Sequence, residues 1–219
     1  MTSRQPNAPD RPAPRLTLVT PAVDDTRALG AALADALGAA EFAAVLLRLG
    51  PSDERTQINR IKAIAPAVQQ AEAALIIDGL PELVAKSGAD GAHLAGIDDF
   101  VEAVEHLKPN WIAGAGGLFT RHDAMLAAEK NADYVMFGEP NERGHRQPFD
   151  DILDRVSWWA DVFQVPCVGY AAALDEVAPL AQAGADFIAL GDFVFSDPAR
   201  VAANVTAARQ QLADADAVA

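Results

Sequence analysis

The chain has 219 residues, of which 31 are Asp or Glu and 17 are Lys or Arg, giving a net charge of −14. That balance excludes a nucleic-acid partner, because neutralising a phosphate backbone needs a basic face. The single cysteine, Cys167, rules out an intramolecular disulfide and a Cys-based zinc site and fits a reducing cytoplasm, and no apolar run approaches the roughly 20 residues of a membrane span.

Residues 1–15 carry Pro6, Pro9, Pro12 and Pro14 and no apolar stretch, so they read as a disordered tail and not as a secretory signal. Residues 16–219 fit one domain. A first strand at 16–20 leads to an Ala- and Leu-rich helix at 24–37. A second strand at 42–49 leads to a helix at 52–72, which opens on Ser-Asp-Glu, a cap followed by first-turn acids. Pro66 is expected to kink or split that helix. Strands at 74–78, 91–94, 111–114, 134–138, 167–169 and 187–190 follow, separated by helical patterns at 80–86, 98–107, 120–130, 150–163 and 174–182. A last helix spans 196–212.

One phrase recurs three times, a small or left-handed residue, an Asp and an apolar strand. It reads Ser87-Gly-Ala-Asp-Gly-Ala-His-Leu, then Asn131-Ala-Asp-Tyr-Val-Met-Phe-Gly, then Ala183-Gly-Ala-Asp-Phe-Ile-Ala-Leu-Gly. Gly88, Asn131 and Gly184 stand where a helix ends in a left-handed residue. The nearly all-apolar run after each is how a strand buried on both faces reads. Eight such strand-helix units predict a (β/α)8 TIM barrel, with an open doubly wound sheet as the alternative. The longest connection, residues 139–149, holds two Pro, one Gly and four charged residues on the face where barrels carry their chemistry.

Taken in order, these strand ends resemble the thiamine phosphate synthase family, which also includes a thiazole tautomerase. Residues 88–94 look like the family's Gly-Ala-Asp-Gly-Val-His-Leu, and the phrases at 132–140 and 183–190 are close to its strands six and eight. The resemblance implies an enzyme of thiamine biosynthesis that joins a pyrimidine methyl diphosphate to a thiazole phosphate and releases diphosphate. Its partners are then small phosphorylated heterocycles, with Mg2+ as cofactor and a homo-oligomer left open.

Carried onto this chain, the resemblance implies metal ligands at Asp78, in Ile77-Asp-Gly, and at Asp98. Asp98 equally suits a helix N-cap. The family's strand-two Gln-x-Arg-x-Lys becomes Leu46, Arg48 and Gly50, leaving Arg48 either as the catalytic and diphosphate-binding cation or as the partner of an acid inside the barrel. Gly114 and Gly116 after strand five can offer backbone N–H groups, although a tight turn explains them as well. The Ser and the tautomerase His expected there are absent. The family's Thr-x-Thr-Lys is replaced by a loop in which Arg143, His145 and Arg146 can take over a phosphate. Glu139 and Glu142 can equally neutralise that cluster. At strands seven and eight the expected phosphate turns fall on Gly169, Ala171 and Gly191, and a family Ser becomes Asp192, whose charge repels phosphate. His93 reads as a satisfied core imidazole. The alternatives to an active synthase are a divergent paralogue that binds or senses a phosphorylated ligand, and a tautomerase-like enzyme.

Overall fold

In the computed structural model, which describes residues 12–141 and 143–216, eight parallel strands close into a barrel in chain order. They are β1 (Arg15–Val19), β2 (Phe42–Leu47), β3 (Ala74–Asp78), β4 (Gly91–Ala95), β5 (Ile112–Gly116), β6 (Tyr134–Phe137), β7 (Cys167–Ala171) and β8 (Phe187–Leu190). Between them run α1 (Thr26–Ala39), α2 (Glu54–Gln70), α3 (Val84–Ser87), α4 (Ile97–Leu107), α5 (Arg121–Glu129), α6 (Phe149–Val162), α7 (Val177–Gln182) and α8 (Val201–Asp216). Residues 1–11 of the expected tail lie outside the described residues, and Arg15, its last residue, already begins β1. Among the described residues no helix is long and apolar enough to cross a membrane.

The recurrent Asp has a physical reason. Asp90, Asp133 and Asp186 stand at the starts of β4, β6 and β8. Each accepts the N–H of a residue at or near the start of the preceding strand: Leu75 at 2.7 Å, Ala113 at 2.7 Å and Cys167 at 2.8 Å. The first donors of β3, β5 and β7 are thereby satisfied at the barrel's lower rim, where the ladder leaves them without a partner. Gly88, Asn131 and Gly184, with φ of 80°, 65° and 94°, turn the chain from helix into these strands.

Alternate residues along each strand divide the core in two. Leu18, Val45, Leu75 and Ile77 pack outward against the helices. Val19, Leu46, Ile76, Met136, Val168, Tyr170 and Ala189 fill the barrel itself.

Several element boundaries differ from the sequence reading, and α2 is not split at its proline. Pro66 lies inside a continuous α2, on its exposed face, so the carbonyl it orphans at Lys62 meets water. β2 stops at Leu47, because the Arg48 N–H turns to Thr20 Oγ1 at 3.0 Å. β5 and β7 each run two residues further than expected, which changes the part played by four residues of the site.

Candidate active site

The C-terminal ends of the strands surround an open cleft of about 650 Å³. Its floor is a chain of ionic contacts. Arg48, just past β2, gives its Nε–H to Asp78 Oδ2 at 3.2 Å and lies 3.9 Å through Nη2 from Glu139 Oε2. Glu139, two residues past β6, accepts the Gly117 N–H at 2.5 Å and faces His93 Nε2 at 3.1 Å. His93 of β4 is fully buried, and its Nδ1 lies 3.0 Å from the Tyr134 hydroxyl. Asp192 lines the same cleft.

Period-two alternation explains why these groups meet. His93, Gly114, Gly116 and Tyr134 face the barrel axis, and a Cβ on Gly114 would collide with the Tyr134 ring. One on Gly116 would collide with His93 and Glu139. The glycines therefore make room for large polar groups from the adjacent strands. Gly114 pairs in the ladder with His93 and Tyr134, and Gly116 with Ala95, so the expected turn donors are strand residues. The same correction applies at β7. Gly169 pairs with Phe137 and Ile188 and leaves room for Leu180, and Ala171 pairs with Leu190. Gly191 gives its N–H to Ala171 O at 3.0 Å and makes space for the Tyr170 hydroxyl.

The loop after β6 divides its cations. Arg143 and His145 line the cleft, on a turn in which Asn141 Oδ1 accepts both of their N–H groups at 3.0 and 2.9 Å. Arg146 points elsewhere. It donates to Gly138 O at 2.5 Å, Tyr170 O at 2.7 Å and Glu176 Oε1 at 2.6 Å, so its fork is committed to clamping the loop. Asp78 lines the cleft. Asp98 is exposed in the first turn of α4, whose N-cap is Gly96, and is not among the lining residues. Among the described residues no group of three or more His, Cys, Asp or Glu is placed to hold a metal. Asp78 with water and phosphate oxygens is still a donor set of the kind Mg2+ accepts, since Mg2+ takes one or two carboxylates beside its substrate.

Sequence reasoning missed Glu139 as a barrel residue, and with it Tyr134 and Phe119. Phe119 is 56 % exposed at the cleft rim, beside Leu118 and Met136. The available signal was the position of Glu139 immediately after Gly138, at the end of a strand whose Tyr134 and Met136 face inward.

Burial alone would discharge both members of the His93–Glu139 pair, but their mutual attraction and hydrogen bond prevail. The His93 pKa is raised, and that of Glu139 is lowered, with Arg48 and the Gly117 N–H adding to the latter. A raised His stabilises the fold fully below about 6.5 and loses that contribution as pH climbs through its folded pKa. A lowered Glu stabilises above about 4.3 and loses its contribution as pH falls through its folded pKa. The pair is therefore worth most between about pH 4.3 and 6.5. Melting curves against pH should show an alkaline decline that Glu139→Gln flattens. Equal slopes in the two proteins would contradict this.

A parallel (β/α)8 barrel with Arg, His and carboxylates gathered at the C-terminal mouth defines an enzyme-type barrel. Residues 16–212 match the family model for thiamine monophosphate synthase, and the chain belongs to that family. It is 37 % identical over 194 residues to a thiamine-phosphate synthase of Rhodospirillum centenum, covering 87 % of this chain and 94 % of the relative. It is 33 % identical over 208 residues to that of Hyphomonas neptunium, covering 91 % and 94 %. Among solved structures, a thiamine phosphate pyrophosphorylase from Pyrococcus furiosus superposes with a TM-score of 0.76 at 22 % identity, covering 92 % of this chain and 96 % of that one.

Proposed function

We propose that this chain is a thiamine-phosphate synthase. The observation that carries the reading is Arg48, a cation held beside Asp78 in the open mouth of a barrel of this family. The bond from the pyrimidine methylene carbon to the diphosphate oxygen breaks, its electron pair leaving with diphosphate. The thiazole nitrogen lone pair then forms the new C–N bond. No strong base is needed; the demand is for charge stabilisation on the leaving group.

In this reading the Arg48 fork meets the leaving diphosphate, and Arg143 and His145 close over a phosphate from the loop. Bound Mg2+ would offset charge on the leaving group, and Asp78 is the carboxylate placed to hold it. Leu118, Phe119 and Met136 form an apolar wall for the heterocycles. Stacking on an aromatic ring contributes about 1 kcal/mol. Phe119→Ala should therefore raise KM for the pyrimidine diphosphate by about five- to tenfold, with the melting temperature unchanged because the ring is already exposed. An unaltered KM would remove Phe119 from the binding site.

The reading is tested by growth. Expression in a bacterium lacking its own thiamine-phosphate synthase should restore growth without thiamine when both precursors can be made. Failure despite soluble protein would count against it.

A further inference from the structure

Three groups converge on one carboxylate at the floor of the cleft, the Gly117 N–H and His93 Nε2 within hydrogen-bond reach and the Arg48 guanidinium 3.9 Å away. They come from β4, from the turn after β5 and from the end of β2, so the barrel itself holds them in place. A backbone N–H beside an imidazole N–H and a guanidinium is the construction of an oxyanion or phosphate site. Here the point they share is filled by the chain's own Glu139 carboxylate.

We propose that these donors form an anion hole and that Glu139 is its internal occupant, a specificity-determining residue that competes with an incoming diphosphate for Arg48. The proposal rests on the synthase reading for the identity of that anion. Charge counting supports it. With Glu139 present, Arg48 is shared among three carboxylates, Asp78, Glu139 and Asp192; without it, between two. The side chain lines the cleft although it is only 6 % exposed, so it forms the floor that a ligand would meet. Its backbone is anchored through the Arg146 clamp on Gly138 O, which leaves side-chain rotation as the way the carboxylate vacates the hole.

The test is calorimetric titration of the full chain with inorganic diphosphate at low ionic strength, without metal. Glu139→Ala should bind diphosphate at least tenfold more tightly than the wild type. Adding Arg48→Met to it should cancel the gain. Asp35→Asn, an exposed carboxylate on α1, controls for net charge and should change affinity less than twofold. Millimolar formate should raise the melting temperature of Glu139→Ala and leave that of the wild type unmoved. If the alanine variant does not fold, Glu139→Gln replaces it, with a gain of at least fivefold expected. Unchanged or weaker diphosphate binding in the variant that folds overturns the proposal, as does an equal gain in Asp35→Asn. Neither variant folding, even with formate, would mark Glu139 as a structural partner and overturn it too. A wild-type protein without synthase turnover would remove the synthase reading while leaving these titrations to be judged on their own.

Discussion

Arg48→Met is expected to lower turnover with the two thiamine precursors by a hundred- to a thousandfold, about 3–4 kcal/mol of lost transition-state stabilisation. Methionine keeps much of the stem's packing and removes the fork of donors. Stability should fall as well, because Arg48 is the cation between Asp78 and Glu139. Breaking a fully buried pair costs about 3–5 kcal/mol. Asp78 retains 29 % exposure and Glu139 keeps His93 and the Gly117 N–H, so about 2 kcal/mol is the better expectation here. Steady-state kinetics and thermal melting on the same variant measure the two effects. A large loss of stability with unaltered turnover would make Arg48 a structural partner only.

Gly116→Ala is expected to be strongly destabilising, by about 3–5 kcal/mol. The added methyl would fall within the shells of Glu139 Oε1 and of His93 Nε2 and Cε1. His93 has nowhere to retreat, since it is fully buried and its other nitrogen meets the Tyr134 hydroxyl. Gly38→Ala provides the contrast. Gly38 lies near the end of α1 with open space around it, and alanine there should be neutral or stabilising by up to about 1 kcal/mol. Denaturant unfolding of the two variants checks both signs. Similar small effects would mean that the His93–Glu139 contact is not tightly built.

The barrel was legible because its signals are local. Apolar runs mark the strands, and left-handed Gly88, Asn131 and Gly184 mark their approaches. Strand ends were less legible, because periodicity identifies a face and says little about where pairing stops. That limit decided the glycines. Gly114 and Gly116 read as turn donors or a tight turn, yet their role is set by Tyr134, His93 and Glu139, residues of neighbouring segments that must fit across the barrel. Glu139 illustrates the same point. A Glu beside Pro140 in a charged loop reads as a neutraliser of the loop's own arginines, whereas the Gly117 N–H, His93 and Arg48 draw it inward. Arg143, His145 and Arg146 looked alike in sequence. Acceptors on β7 and at Glu176 take Arg146 out of the cleft and leave the other two at its edge.

The measurement that bears most directly on the proposed reaction is release of inorganic diphosphate by the purified chain with both precursors and Mg2+. Release should require both precursors and match the coupled product one for one. It should be slower than in a relative that keeps the strand-two Gln and Lys, since each missing contact costs about 2–4 kcal/mol. No diphosphate above the enzyme-free blank, from protein that is folded and binds diphosphate, would contradict the assignment of synthase chemistry to this site.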